Sequence, residues 1–314
     1  MARHINPGGP SRLYSSWLKG NLVIGGGQCG PAEEYFVDGT NGNARNDGLS
    51  WERAKATIQS GLDLCTGRGR HRVLVAPGYY TEDLTTPLNA IAPFGQLIAY
   101  NPTPGNTFGA VGIAGTTTAC LTVQARGWYI KGFEFDAAAD QECVIIGGAT
   151  AGNSGQGTMF EDCLFVGQNQ GLAGIDAQSS ISGNPLVTIR SCGFYGFTSG
   201  ATAGKCITCT ASGIDQPRFW LIEDCWFADS DNLIDMNPRG FKESIIRYNS
   251  FYTNGANQSP DEIIDNTGGN DTLIYGNEFP GTYSGVGGYV AGTNDEWGGN
   301  YNSIAGGLTA ADPA

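Results

Sequence analysis

The segment FEDCLF, Phe160–Phe165, returns almost unchanged as IEDCWF, Ile222–Phe227. Four more segments share its pattern of apolar residues, a polar pair, a small or amide residue, one free position and a final Phe. Self-similarity at a period of about 29 residues indicates a solenoid, in which each repeat packs on the one before it. The final phenylalanines are 30, 29, 33, 24 and 28 residues apart: Phe135, Phe165, Phe194, Phe227, Phe251 and Phe279.

The repeated segments have the composition of strands. They are short, rich in β-branched and aromatic residues, and bounded by Gly, Asn, Asp and Ser. A second short apolar segment follows each Phe, so each period predicts one coil of an all-β parallel β-helix, with equivalent side chains stacked about 4.8 Å apart. The phenylalanines then form an internal ladder, and a second internal column lies two residues earlier: Phe133, Cys163, Cys192, Cys225, Asn249 and Asn277.

The first third of the chain departs from this period. Trp51, Ala54, Ile58, Leu62 and Cys65 have helical spacing, which predicts an amphipathic helix that begins near Trp51, is capped by Asp47 or Ser50, and covers the open first coil. The sequence therefore predicts four parts: an extended N-terminal arm (1–34), a strand and capping helix (35–72), the coils of the β-helix (73–292), and a C-terminal cap or tail (293–314).

Two N-terminal segments carry a family resemblance. VDGTNGNARNDGLSWERAKATIQSGLD (37–63) and RVLVAPGYYTEDL (72–84) resemble the opening of right-handed parallel β-helix proteins of the pectin-lyase-like group. The resemblance implies a single-stranded right-handed parallel β-helix, and, for viral members of the group, a trimer. It does not imply one function, because the group includes lyases, hydrolases, esterases, adhesins and structural proteins of phages and other viruses.

The enzyme motifs of that group are largely missing. The chain has only His4 and His71, so the histidine motif of polygalacturonase-like hydrolases is absent, as is any adjacent Asp pair. The segment MNPRGFK, with Arg239, is the nearest match to the basic site of pectate lyases. These absences favour a non-enzymatic protein over a polysaccharide lyase or glycoside hydrolase.

The remaining catalytic candidates are three aspartates that each follow an Ile in the second segment of a coil: Asp176, Asp235 and Asp265. Stacked coils would align them in one column, with Thr208 between the first two, and carboxylates about 5 Å apart could bind a cation or act as acid and nucleophile. The favoured interpretation is structural: the side chains face water or bond to turn amides.

Composition limits the partners. The net charge of −13 argues against nucleic acid and anionic membranes, and residues 1–34 lack the apolar run of a signal peptide or membrane span, so we expect neither. The cysteines number nine, an odd count that predicts reduced thiols, and CITC (206–209) has no nearby His, so we expect neither metal nor cofactor.

Three functions from different classes remain open. The first is a virion structural protein, a capsid decoration or appendage subunit made in the host cytoplasm, whose arm binds the capsid or another virion protein. The second is a carbohydrate-active tailspike, and the third is a non-catalytic adhesin for host-surface glycan. Candidate arm anchors are Arg3, Arg12, Tyr14, Trp17 and Leu18, and candidate sugar-stacking residues are Trp128, Trp220, Trp226 and Trp297, with Tyr129, Tyr195 and Tyr252 beside them.

Overall fold

The chain is an all-β right-handed parallel β-helix in which each complete coil contributes one strand to each of three sheets, here called A, B and C. The computed structural model describes residues 33–67, 70–88, 90–100, 110–147, 155–178, 184–198, 204–210, 216–252, 262–279, 289–304 and 307–310. The predicted arm anchors Arg3, Arg12, Tyr14, Trp17 and Leu18 lie outside these residues.

From His71 to Ile304 the strands of the three sheets follow one another in the order A, B, C along the chain. Sheet A consists of Glu33–Val37, His71–Val75, Gln96–Ala99, Tyr129–Lys131, Met159–Glu161, Thr188–Arg190, Leu221–Glu223, Ile245–Arg247, Leu273–Tyr275 and Glu296–Gly298. Sheet B consists of Gly78–Thr81, Val111–Ala114, Phe133–Asp136, Leu164–Val166, Gly193–Tyr195, Trp226–Ala228, Ser250–Phe251, Glu278–Phe279, Tyr301–Ile304 and Gly307–Ala310. Sheet C consists of Leu84–Thr85, Leu121–Val123, Glu142–Ile146, Ala173–Ala177, Lys205–Thr208, Asn232–Asp235, Glu262–Asp265 and Tyr289–Val290.

The predicted phenylalanine ladder is confirmed and forms the centre of the core. Successive ring centroids from Phe135 to Phe279 lie 4.6–5.4 Å apart with nearly parallel planes. Trp297 stacks on Phe279 at 5.3 Å and ends the column. Because the rings are fully or almost fully buried and in register, each of these six coils contributes one aromatic layer to a continuous core.

The turn between sheets A and B repeats from coil to coil. In the last six coils it has two residues, the first in the left-handed region with φ between 51° and 67°. The second residue is the predicted internal column, and its asparagines bond along the axis: Asn249 N–H donates to Asn277 Oδ1 at 3.0 Å, and Asn277 N–H to Asn300 Oδ1 at 2.9 Å. The left-handed positions are Asp162, Ser191, Asp224, Tyr248, Gly276 and Gly299.

The predicted single helix is wrong, because two short helices occupy its place. A 3-10 helix spans Trp51–Arg53 and an α-helix spans Ile58–Leu62. Lys55, between them, pairs with Val37 as an isolated parallel bridge. The α-helix is capped by Thr57, not by Asp47 or Ser50.

The helical segment still covers the first coil as expected. The buried side chains of Ala54, Ile58, Leu62 and Cys65 face the core, while Trp51 is half-buried against Phe36 at a centroid distance of 4.9 Å.

The coils continue beyond the expected boundary at residue 292. Glu296–Gly298 pairs in register with sheet A and Tyr301–Ile304 with sheet B. Gly307–Ala310 then pairs antiparallel to Tyr301–Ile304 and ends the described chain. The antiparallel pair therefore acts as the C-terminal cap, about one pair of strands later than the sequence indicates.

Candidate functional site

Two surfaces of the β-helix hold the residues that the sequence nominates, and they differ in how the chain borders them. In the last six coils the A-to-B turns have two residues, whereas the segments from sheet B to sheet C vary from two residues (82–83) to ten (252–261). Sheet C is therefore bordered by connections of variable length, where loops commonly carry function. Sheet B borders the same connections on one side and, in these six coils, the short A-to-B turns on the other.

The predicted carboxylate column on sheet C is in register. Asp176 pairs with Thr208, Thr208 with Asp235, and Asp235 with Asp265, each in adjacent strands. These residues are at most 6% exposed, so they do not face water as one of the sequence-based alternatives supposed. The other alternative, bonding to turn amides, describes them: Asp235 accepts from Asn237 N–H at 3.0 Å and Asp265 from Thr267 N–H at 2.8 Å.

Asp176 is held by the following coil. It accepts from Thr210 N–H at 2.9 Å, from the Thr210 hydroxyl at 2.5 Å and from Gln178 Nε2 at 2.8 Å. Burial raises the pKa of Asp176, and these hydrogen bonds and the charge of Lys205 oppose the rise only in part.

We expect Asp176 to make folding stability depend on pH in a defined direction. Because its pKa is higher in the folded than in the unfolded chain, the folded state binds the proton more tightly. The stability that Asp176 contributes through this tighter proton binding is fully present below its pKa in the unfolded chain. It is lost as the pH rises through its pKa in the folded chain. Denaturant unfolding of wild type and Asp176→Asn between pH 4 and pH 7 should therefore show a smaller loss of stability on raising the pH in the variant. Parallel pH profiles would contradict this assignment.

Lys205 is a partner that the sequence reasoning missed. Its Nζ lies 2.6 Å from Asp235 Oδ2, and both side chains are mostly buried. The sequence did hold a signal for this pair, because Lys205 lies three residues before Thr208, which occupies the aspartate position one coil before Asp235. Arg239 lies in the turn after Asp235, where its N–H donates to Met236 O at 2.8 Å and its carbonyl accepts from Gln216 Nε2 at 2.9 Å.

Two of the four tryptophans proposed for sugar binding belong to the core. Trp128 and Trp220 are 0% exposed, and their indole N–H groups donate to Ala92 O at 3.1 Å and Asn184 O at 2.7 Å. Neither contacts solvent, so neither side chain can stack on a surface ligand. Trp297 ends the phenylalanine ladder and also packs on Tyr289 at a centroid distance of 4.1 Å.

Trp226 lies on the outer face of sheet B, because its neighbour Phe227 points into the ladder. It is partly exposed and pairs laterally with Gly193. A β-carbon at Gly193 would overlap the indole ring, so the indole lies directly over this glycine. Tyr79 has the same relation to Gly112, over which its ring lies.

Two exposed tyrosines lie beside Trp226 on the same face. Tyr195 is 41% exposed and pairs with Ala228, while Tyr252, 49% exposed, follows Phe251 in the next coil. The small Ala228 therefore separates two tyrosines by two coils, about 10 Å along the axis. We call the outer face formed by Tyr79, Glu134, Asp136, Tyr195, Trp226 and Tyr252 the sheet B strip.

The carboxylates of the strip lie between its aromatic rings. Glu134 and Asp136 alternate with the core residues Phe133 and Phe135, so both lie on the outer-face rows of the strand Phe133–Asp136. The Tyr79 hydroxyl donates to Asp136 Oδ2, so the ring over Gly112 is tied to this strand. Burial and the neighbouring Asp136 raise the pKa of Glu134.

Metal, thiol and membrane features add no further site in the described residues. No group of three or more His, Cys, Asp or Glu side chains within them could hold a metal ion. The eight cysteines there are buried. Across the same residues, no helix has the length and apolar character needed to cross a membrane.

Comparison with known proteins supports the fold. No family model and no curated protein matches the chain. A carrot pectin methylesterase superposes with a TM-score of 0.54 at 12% identity, over 90% of this chain and 86% of that protein. A pectin methylesterase from Erwinia chrysanthemi gives 0.47 at 11% identity, covering 78% of each chain. A pectate lyase gives 0.45 at 12% identity, over 87% and 77%. At such identity the likeness shows a parallel β-helix and nothing about the site.

Proposed function

We propose that this protein is a non-enzymatic, glycan-binding β-helix that holds a polysaccharide along the sheet B strip. The observation that carries the proposal is the placement of Trp226 over Gly193 with Tyr195 and Tyr252 exposed beside it. The apolar faces of sugar rings pack on aromatic side chains, and rings held by a rigid sheet bind with little loss of side-chain entropy.

The spacing of the strip suits an extended polymer. The rings over Gly112 and Gly193 are three strands apart in sheet B, about 14 Å along the axis. Tyr195 and Tyr252 are two strands apart, a distance close to the repeat of an extended 1,4-linked disaccharide. A polysaccharide parallel to the helix axis could therefore contact several coils in succession.

The sheet C column supports binding over catalysis. Asp176, Asp235 and Asp265 are almost fully buried and each accepts hydrogen bonds from the chain itself. A general acid or nucleophile must reach its substrate within hydrogen-bond distance. In this arrangement the carboxylates instead stabilise the ends of the sheet C strands.

We expect Trp226→Ala to weaken polysaccharide binding about tenfold or more, because aromatic anchors dominate such interfaces. Tyr195→Ala with Tyr252→Ala should have an effect of similar size. Binding of the full chain is measured by affinity electrophoresis and calorimetry against a panel of neutral, amino and acidic polysaccharides. Tyr248→Ala is the matched control, since Tyr248 is 53% exposed but lies on an A-to-B turn.

A second pair of variants tests the ring orientation. Gly193→Ala should displace the indole of Trp226 and reduce binding as Trp226→Ala does. Gly298→Ala is its control, because a β-carbon at Gly298 would meet nothing within 4 Å. If wild type binds no member of the panel, or if Trp226→Ala binds as wild type does, the proposed function is wrong.

We further propose that the protein is displayed on a virus particle, with residues 1–34 binding a capsid or other virion protein. The support is compositional: the arm carries basic and aromatic residues, whereas the whole chain has a net charge of −13. Full-length protein should co-sediment with particles from its source, and a variant without residues 1–34 should not. Equal sedimentation of both forms would exclude arm-mediated attachment, and the same run measures whether the chain is a trimer.

A further inference from the structure

The sheet B strip has a charge pattern that selects among glycans. The described side chains on its two outward rows include three carboxylates, Glu134, Asp136 and Glu278, and no Lys or Arg. Glu278 accepts a hydrogen bond from Ser250. Among the ion pairs of the described residues, none involves Glu134 or Asp136.

This lack of cations is confined to one face. On the outer face of sheet A the carboxylates are paired with basic groups of adjacent coils, as in Lys131–Glu161 at 2.6 Å and Arg190–Glu223 at 2.5 Å. On the sheet B strip the only described hydrogen-bond partner of the Asp136 carboxylate is the neutral Tyr79 hydroxyl. Glu134 and Asp136 of the strip therefore lack a basic partner within the described residues, in contrast to the carboxylates of the neighbouring sheet.

The position of the two carboxylates places this charge along the path of a bound polymer. Glu134 pairs laterally with Gly112 on one side and with Leu164 on the other. Leu164 in turn pairs with Gly193, which lies under the Trp226 indole. A sugar chain that spans the Tyr79 and Trp226 rings must cross Glu134 and Leu164 between them.

We infer that the sheet B strip recognises a polysaccharide that carries free amino groups, with the half-buried Glu134 accepting a hydrogen bond from an ammonium group between the Tyr79 and Trp226 rings. The carboxylate of Asp136, which is only 6% exposed and bonded to the Tyr79 hydroxyl, lies beside Glu134. This inference rests on the proposed function. The carboxylates of Glu134 and Asp136 would repel an anionic polymer. A neutral polymer would stack on the rings but would bring no cation to pair with these carboxylates. The half-buried Glu134, whose charge is unfavourable where it stands, would gain a counter-charge on binding.

The test compares a glucosamine hexamer with its N-acetylated counterpart, since the two differ at each amino group but share the ring. Isothermal titration with the full chain at pH 6 and low salt should show at least tenfold tighter binding of the glucosamine hexamer. Glu134→Gln should reduce this preference several-fold, and Glu134→Gln with Asp136→Asn should reduce it to about twofold or less.

The possible failures are distinguishable. Equal binding of the two hexamers by wild type, or an unchanged preference in Glu134→Gln, overturns the amino-sugar inference and leaves the proposed function intact. If neither hexamer binds and the polysaccharide panel is also negative, the proposed function itself fails. Trp226→Ala should weaken both hexamers alike, and thermal unfolding of each variant shows whether the Asp136 substitution has altered the fold.

Discussion

Replacing Phe227 with Ala is expected to lower the free energy of unfolding by about 3–5 kcal/mol. The ring is fully buried between Phe194 and Phe251, each at a centroid distance of 4.9 Å. The substitution removes one layer of a column in which both neighbours lose a stacking partner. Each stacked pair contributes about 0.5–1.5 kcal/mol beyond its buried area, so the loss should lie in the upper part of the range.

Urea unfolding monitored by circular dichroism measures this effect. Phe227→Leu keeps most of the volume and should cost clearly less than Phe227→Ala, because it leaves a smaller cavity. Tyr195→Ala, in the preceding coil but on the outer face, should stay within about 0.5 kcal/mol of wild type. A Phe227→Ala loss below about 1 kcal/mol would mean that the core adapts to the cavity instead of depending on the column.

The ladder was predictable because its signal is repeated. Phe165 pairs with Phe194, and Phe194 with Phe227, in adjacent strands of sheet B, as their common place in each segment required. In a parallel solenoid, residues at equivalent positions of successive coils become lateral neighbours, so spacing along the sequence converts into contact. The same rule aligned Asp176, Thr208, Asp235 and Asp265.

The burial of those aspartates was not predictable by the same rule. Thr210, which bonds Asp176, comes from the coil after it, and the Lys205 that pairs with Asp235 comes from the coil before. The strand pattern predicts which residues stack in one row along the axis. Whether that row is exposed or buried depends on the side chains that the segments outside the strands place over it. Those segments carry no periodic signal.

The prediction of a single capping helix was wrong for a related reason. The spacing of Ala54, Ile58 and Leu62 identified the buried face, but two distant groups decide where the helix begins. Val37 pairs with Lys55 in an isolated bridge, and the carboxylate of Glu82 accepts hydrogen bonds from Ile58 N–H and Gln59 N–H at 2.9 and 3.0 Å. Tertiary contacts therefore override the local helix signal.

The tryptophans illustrate the limit for the candidate site. Trp128 and Trp226 were both sugar-stacking candidates from the sequence, yet Trp128 is in the core and Trp226 lies on the outer face of sheet B. The Trp128 indole donates to Ala92 O, 36 residues away, whereas the Trp226 indole lies over Gly193, one coil earlier. Only the register of the coils reveals either partner.

The charged row on sheet A leads to the second large expected effect. Glu223 is the centre of this row, with its side chain 6% exposed. It accepts from Arg190 Nη2 at 2.5 Å through one oxygen and from Arg247 Nη2 at 2.5 Å through the other. Arg247 Nη1 also donates to the Tyr275 hydroxyl at 2.8 Å, so the bonds link four successive coils.

Glu223→Ala should lower the free energy of unfolding by about 2–3 kcal/mol, because it leaves two guanidinium groups without their shared carboxylate. Breaking a fully buried pair costs about 3–5 kcal/mol. The expected loss is smaller here, since the side chains of Arg190 and Arg247 keep 38% and 28% of their exposure to water. Glu223→Gln retains an acceptor and the shape of the side chain, so its cost should be about half.

The control is an exposed pair of the same chemistry. Asp47 and Arg53 lie 2.6 Å apart with side chains 40% and 59% exposed, and Asp47→Ala should cost less than about 1 kcal/mol. A triple variant, Glu223→Met with Arg190→Met and Arg247→Met, separates two causes of the stability loss in Glu223→Ala. One cause is the two unpaired guanidinium charges, and the other is the loss of the bonds between coils. If unpaired charge is the main cost, the triple variant should recover most of the stability lost in Glu223→Ala. If it remains as unstable as Glu223→Ala, the bonds between coils, and not the unpaired charges, are what stabilise this row.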